Sequence, residues 1–367
     1  MAAVRSSMLS WTVVVPLLAL VALALTWGRE LGTVLVILVA FVLAGAVLSA
    51  VHHAEVVAHR VGEPYGSLVL AVAVTIIEVA LIVTLMVSGG PESASLARDT
   101  VFAAVMITTN GIVGLALMVG SLRHGLALFN AEGTGAALAT VATLSGMCLV
   151  VPTFTTTTPG PGFSAAQLAF AAIASLLLYG LFVMTQTVRH RDFFLPVEHG
   201  EGPKDADGDG HADPPSNKAA AASLGLLLVA LVAVVGLAKV ESPAIESAVK
   251  AAGFPPSFVG VVIALLVLLP ETLAAVRAAA RQRVQISLNL AYGSAMASIG
   301  LTIPAIAVAS IWLEGPLELG LGPVHMVLLA LTIVVSVLTV VPGRATRLQG
   351  GVHLVLLAAF LFLAINP

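Results

Sequence analysis

Apolar runs long enough to cross a bilayer recur along the whole chain, at about 9–27, 32–51, 66–88, 100–121, 135–152, 165–187, 220–238, 257–279, 285–312, 323–341 and 349–366. Runs of this length match the hydrocarbon thickness of a membrane. Lipid offers the backbone no hydrogen-bond partner, so each run is expected to be a helix that satisfies its own N–H and C=O groups. Composition agrees. Hydrophobic residues make up 59% of the chain and charged ones only 10%, against about 25% charged in an average soluble domain. The expected fold is an all-α polytopic membrane protein of about 11 transmembrane helices. The first run is read as a spanning helix, with no small-residue cleavage site after it. The single cysteine, Cys148, lies within an apolar run and has no intrachain partner. No basic patch supports binding to nucleic acid.

Orientation follows from Lys and Arg, which concentrate in cytoplasmic segments. With the N-terminus inside, twelve of the sixteen basic residues fall on the cytoplasmic side. Arg29, Arg98, Lys239 and Lys250 fall outside. The expectation is a multi-pass protein of a bacterial inner membrane, N-terminus cytoplasmic and C-terminus outside. The longest polar segment, 188–219, is acidic and rich in Gly and Pro, and is read as a cytoplasmic, largely disordered connector. It divides the chain into an N-terminal helix (1–31), a first five-helix repeat (32–187) and a second (220–367). Five is odd, so two such repeats must lie in the membrane with opposite topology, the inverted-repeat plan of many secondary transporters.

Each repeat carries one glutamate at mid-membrane depth in its second helix: Glu78 in GSLVLAVAVTIIEVALIVTLM and Glu271 in LLPETLAAVR. A carboxylate at that depth costs roughly 2.5–3.5 kcal/mol on insertion scales and marks a functional site by default. Pro270, which has no N–H, is expected to break its helix beside Glu271 and free backbone carbonyls there. Carboxylate, carbonyl and hydroxyl oxygens together suit a hard cation. Two glutamates facing one another hold charge −2 when ionised and none when protonated. That is the charge needed to exchange one divalent cation for two protons through competition at one site. The plainer alternative for each acid is a buried protonated carboxyl or a helix–helix hydrogen bond.

The helices that follow carry Thr108, Thr109 and Asn110 in one half and Asn289, Gly293, Ser294 and Ser298 in the other. Intramembrane Asn and Ser also serve as interhelical hydrogen bonds. Thr109, Asn110, Asn289 and Ser294 are candidates for the ion site, and lining it is the favoured reading for Asn110 and Ser294. Gly111, Gly114 and Gly293 are expected to permit close helix approach. His52, His53, Glu55 and His59 stand where the second helix meets the cytoplasm. They read either as a solvated interfacial cluster or as an ion-access and pH-sensing vestibule involving His53, Glu55 and His59. Asp205, Asp207, Asp209 and Gly210 open a calcium-loop pattern, but its twelfth position is Ser216 where a bidentate Glu is required. A weak cation-attracting acidic loop is the better reading. Trp11, Trp27 and Trp312 fall near helix ends, as interfacial anchors do.

The segment LLPETLAAVRAAARQRVQISLNLAYGSAMASIGLTIP resembles the second signature repeat of cation/proton exchangers in the calcium/cation antiporter superfamily. Glu271, Gly293, Ser294 and Pro304 match that pattern, with Val267-Leu268 where Gly-Asn is usual. VGEPYGSLVLAVAVTIIEVALIV resembles the first repeat, with Glu78 at the acidic position and Val74-Thr75 in place of Gly-Asn. HAEVVAHRVGEPYG is most similar to the bacterial calcium/proton branch, which is also associated with sodium/proton and potassium/proton exchange. The resemblance covers roughly 32–365. It implies an alternating-access antiporter in which Glu78 and Glu271 bind the cation, calcium first, and exchange it for protons.

The leading expectation is thus a secondary antiporter moving cytoplasmic Ca2+ against H+, with Na+ or K+ as the alternative cargo and no other cofactor. A passive channel would need a continuous polar lining, whereas polar residues here cluster at one depth around two acids. An intramembrane enzyme would need a nucleophile–base pair or a metal motif, and an enzyme is not expected. The expected partners are the transported ions, the bilayer and, for the assembly, a homo-oligomer.

Overall fold

The computed structural model describes residues 10–29, 31–62, 65–89, 93–196, 215–312 and 315–367. The described residues are helical almost throughout. In order the helices are α1 (Trp11–Thr26), α2 (Thr33–Val61), α3 (Tyr65–Gly89), α4 (Leu96–His124), α5 (Ala131–Phe154) and α6 (Ala165–Arg189). After the linker come α7 (Asn217–Ala251), α8 (Phe258–Val267), α9 (Leu269–Ala280), α10 (Val284–Ala309), α11 (Pro323–Val340) and α12 (Arg347–Ile365). Among the described residues eight helices are long and apolar enough to span alone, and α8 with α9 forms a ninth as a bent pair. The shorter apolar helices α1 and α3 complete a set consistent with the eleven expected runs.

Two helices run well past their apolar stretches. α2 continues through HHAEVVAHRV and α7 through ESPAIESAVKA. Both extensions are polar, so hydropathy alone does not register them. Each ends beside a glycine at positive φ, Gly62 at 74° and Gly253 at 75°, a backbone conformation that only glycine adopts without cost.

The matching of these two helices extends to the whole architecture. α2 packs against α7. α4 packs on α8, α9 and α12, while α10 packs on α3 and α6. Exchanging α2–α6 with α7–α12, the bent pair α8 and α9 counting as one span, maps these contacts onto one another. The loops obey the same exchange. The α4–α5 turn pairs antiparallel with the α11–α12 turn, as β1 (Ala127–Leu128) and β2 (Arg344–Ala345). The α5–α6 loop pairs with the α10–α11 loop through the Gly162–Glu318 bridge. Asn110 and Ser298 are each the fifteenth residue of their helices, Leu96–His124 and Val284–Ala309. The two halves are inverted copies.

The interior forms two apolar cores. One joins α1, α2 and α7 with one side of α3 and α8, through Ala46, Ile77, Leu81, Leu237 and Ile263. The other joins α4–α6 and α9–α12 with the opposite side of α3 and α8, through Ile82, Val105, Leu144, Leu268 and Tyr292. Thus α3 and α8 lie along the seam between the cores. α4 and α10 are the most enclosed spans, whereas Phe41, Leu177, Leu338 and Val355 stand outward as a lipid-facing surface. Trp11, Trp27 and Trp312 are all more than half exposed at helix ends, where their amphipathic rings suit a membrane interface.

Proline governs local geometry twice. Pro16 cannot donate to the carbonyl of Thr12, one turn earlier in α1. That carbonyl instead accepts from Ser49 Oγ at 2.7 Å and bonds His53 Nε2 at 2.9 Å, fastening α1 to α2. Pro270 acts where the sequence predicts, with α8 and α9 meeting at a 53° bend.

Candidate functional site

Glu78, from the seam-lining helix α3, is 3% exposed. Ser298 Oγ of α10 donates to its Oε2 at 2.9 Å, while Oε1 is buried without a partner. Thr302, one turn further along α10, lies against the same carboxyl but makes no bond of good geometry, and its Oγ1 is also buried and unpartnered. Ser294, Ser298 and Thr302 recur every fourth residue and so share one face of α10.

Glu271 stands in the first turn of α9, where the positive end of the helix dipole favours an anionic group. It is half-buried, and its Oε2 is enclosed without a partner. The bend that places it there also leaves the Leu266 carbonyl without the N–H that residue 270 would otherwise supply. The two carboxyls lie within electrostatic range of one another. Buried groups without partners are costly, and more so when charged. Three of the seven such side-chain atoms among the described residues belong to Glu78, Glu271 and Thr302. The arrangement has the chemistry of a site completed by a bound cation or by protons.

Glu55 extends this line outward. It is exposed near the end of α2, within electrostatic range of Glu271 and of Arg277. A cavity of about 550 Å³ opens beside the C-terminal ends of α3 and α7 and the N-terminal end of α8, lined by Asp99, Glu246 and Lys250 among others. Its lining includes Leu85 and Val259 but neither acid. Leu85 is two turns from Glu78 on the same face of α3, so apolar side chains separate that cavity from the acids.

Several residues expected at the ion site are engaged elsewhere. Asn289 Nδ2 donates to the Phe194 carbonyl at 2.7 Å, and its Oδ1 accepts from Gln285. It lies more than two turns from Ser298 and anchors the turn after α6. Thr109 bonds the Val105 carbonyl of its own helix at 2.6 Å. Asn110 faces α11 and α12: Nδ2 donates to Thr332 Oγ1 at 2.9 Å and Oδ1 accepts from His353 Nδ1 at 3.1 Å. Ser294 is half-buried one turn from Ser298.

His53 is turned into the α1 contact, away from any vestibule, and His59 is exposed at the end of α2. Of that histidine cluster the structure brings only Glu55 toward the acids. Gly111 and Gly114 do allow close approach, against Leu357 and against Leu354 and His353, whereas nothing packs on Gly293. The Asp205–Gly210 pattern lies outside the described residues, and Ser216 caps α7 by accepting from the Ala219 N–H. The residues missing from the sequence-based site are Thr302 and the direct role of Ser298. The recurrence of hydroxyls every fourth residue was the available signal.

A family model described as "Sodium/calcium exchanger protein" matches residues 31–188 and 222–366. The chain belongs to this family of membrane cation exchangers. It is 46% identical over 97% of its length to y4hA of Sinorhizobium fredii, named as a candidate ionic transporter and covered over 96% of that protein. It is 34% identical to the sodium-potassium/proton antiporter ChaA of Escherichia coli, with 98% and 97% of the two chains aligned. Among solved structures, native YfkE, a Ca2+/H+ antiporter by name, superposes with a TM-score of 0.71 at 15% identity, covering 97% of this chain and 99% of that one.

Proposed function

We propose that the protein is a proton-coupled cation antiporter in which Glu78 and Glu271 together bind either a cation or protons. The observation that carries this reading is the pair of acids within electrostatic range of one another, each with an enclosed, unpartnered carboxyl oxygen, Glu78 on the seam helix α3 and Glu271 just past the bend that ends the seam helix α8. A cation and protons satisfy the same oxygens, so one excludes the other and the two fluxes are coupled. Ser298 and Thr302 add hydroxyl oxygens from α10, and the bend at Pro270 adds a carbonyl. Residues 32–187 and 220–367 serve as the two repeats, with 1–31 an additional helix and 188–219 a cytoplasmic linker. The distribution of Lys and Arg supports an N-terminus inside and a C-terminus outside.

The charge of two carboxylates matches one Ca2+ against two protons. A second reading, Na+ or K+ against protons, is favoured by a specific observation. Asn110 bonds α11 and α12 instead of the acids, and among the described residues Glu271 has no side-chain donor equivalent to Ser298 at Glu78. Ca2+ takes six to eight oxygens, and with one oxygen from each carboxylate the two hydroxyls and the carbonyl bring the set to only five. The E. coli relative named for sodium-potassium/proton exchange supports the same reading.

The test is exchange in proteoliposomes with an imposed pH gradient and a luminal pH dye. Ca2+, Na+ and K+ are added in turn to the wild type, Glu78→Gln and Glu271→Gln. Gradient dissipation by at least one cation in the wild type and by none in either folded variant is the expected result. Full exchange by either variant removes the paired-acid mechanism, and the cation that works identifies the cargo.

A further inference from the structure

His353 is fully buried on α12, and nothing in the transport scheme above uses it. It lies where α12 packs closely on α4. A side chain at Gly114 would meet the His353 Cβ at 3.1 Å, and one at Gly350 would meet the Met118 nitrogen at 2.7 Å. From this position His353 joins a hydrogen-bonded chain across three helices. Nε2 bonds Thr339 Oγ1 of α11 at 3.2 Å, and Nδ1 bonds Asn110 Oδ1 of α4 at 3.1 Å. Asn110 Nδ2 then reaches Thr332 Oγ1 of α11 at 2.9 Å.

One polarity satisfies every link. The Thr339 hydroxyl donates to Nε2, the Nδ1–H donates to Asn110 Oδ1, and the Asn110 amide donates to Thr332. The Thr109 carbonyl, a further acceptor, lies beside the ring. Both ends of the Asn110 amide are therefore held by the scaffold helices.

The inverted repeat gives this contact its meaning. Asn110 on α4 occupies the place that Ser298 holds on α10. Ser298 bonds the glutamate of the opposite half, Glu78. The corresponding bond, from Asn110 to Glu271, is absent: the amide is turned to His353, and Glu271 Oε2 stays unpartnered. Among the described residues no histidine bonds Ser298 as His353 bonds Asn110.

We propose that His353, with Thr332, is a specificity-determining positioning residue that holds the Asn110 amide away from Glu271 and so withholds one neutral oxygen from the cation site. The inference rests on the antiporter reading above. A neutral amide oxygen matters most to a divalent cation, which takes six to eight oxygens, more than two carboxylates bound through one oxygen each, two hydroxyls and one carbonyl provide. Withholding it tilts the site toward monovalent cations.

The test measures KM for Ca2+ and for Na+ in the same proteoliposomes. In His353→Leu/Thr332→Val the amide keeps only the weak contacts of its own helix, Thr109 Oγ1 at 3.4 Å and Met106 Sδ at 3.8 Å, and is released to turn toward the acids. The Ca2+ to Na+ KM ratio is expected to fall about tenfold, the scale of one added polar contact. Adding Asn110→Leu should restore the original ratio, and His353→Gln, which keeps a donor for Oδ1, should leave it unchanged. An unchanged ratio in the double variant, or a shift that survives Asn110→Leu, overturns the proposal. Should the double variant fail to fold, Thr332→Val alone decides: a shift of about threefold supports the restraint, and no shift refutes it. A wild type that exchanges no cation for protons removes the antiporter reading instead, and is recognised by that failure alone.

Discussion

Pro270→Ala tests whether the bend beside Glu271 is set by the proline or by packing. In a straight α8–α9 helix, proline at this position would cost roughly 3 kcal/mol relative to alanine, through the lost N–H and the clash with the preceding turn. The 53° bend relieves that cost by placing Pro270 in the first turn of α9. Alanine removes the penalty on the straight form and lets residue 270 donate to the Leu266 carbonyl. The straight form then gains up to about 3 kcal/mol, a factor of about 100 in population. Glu271 lies three residues past Leu268, a lever of about 4.5 Å at 1.5 Å per residue. Straightening therefore shifts its backbone by about 4 Å. Ligand oxygens sit only 2.3–2.6 Å from a calcium ion, so such a shift takes the carboxylate out of the site. Exchange in proteoliposomes should fall more than tenfold, while thermal stability in detergent holds or rises. Exchange within twofold of wild type would refute the reasoning, because packing of α8 and α9 on α4 would then be enough to hold the bend.

Three further outcomes follow from the same geometry. Gly133→Ala places a methyl about 2.2 Å from the Phe193 carbonyl oxygen, which something must yield to accommodate; a loss of roughly 1–3 kcal/mol in detergent stability is expected, with the Ca2+ to Na+ selectivity unchanged in the protein that remains folded. Ser49→Ala together with His53→Leu strips both partners from the Thr12 carbonyl that Pro16 leaves free. It should destabilise the α1–α2 contact by about 1–3 kcal/mol, read as earlier proteolysis near the N-terminus, and equal protease sensitivity would count against that contact. Lastly, if the cation displaces protons from Glu78 and Glu271, acidification must raise the cation KM. The slope should approach about tenfold per pH unit for each proton displaced, so two protons against Ca2+ give a steeper line than one against Na+. A KM indifferent to pH would exclude competition at the acids.

Much of the fold is legible in the chain because lipid enforces local rules. Apolar length gives the spans, the odd number of helices per half requires inversion, and Pro270 marks the broken helix before Glu271. The polar ends of α2 and α7 escape such reading, since a helix leaving the membrane loses its hydropathic signal while its backbone bonds continue. The site divides in the same way. Glu78 and Glu271 stand out because a carboxylate within an apolar run is too costly to be a neutral filler.

Asn110, Asn289 and His53 are equally visible as polar residues in apolar surroundings, yet the sequence does not disclose which partner each meets. Asn289 reaches Phe194 from ninety-five positions away, and His353 reaches Asn110 from two hundred and forty-three. Local composition determined that this chain crosses a membrane many times, in two inverted halves, with an acid in each. Tertiary structure alone decided which oxygens face those acids. A buried polar side chain takes whichever partner the packing brings within 3 Å, and that choice depends on helices far apart in the chain.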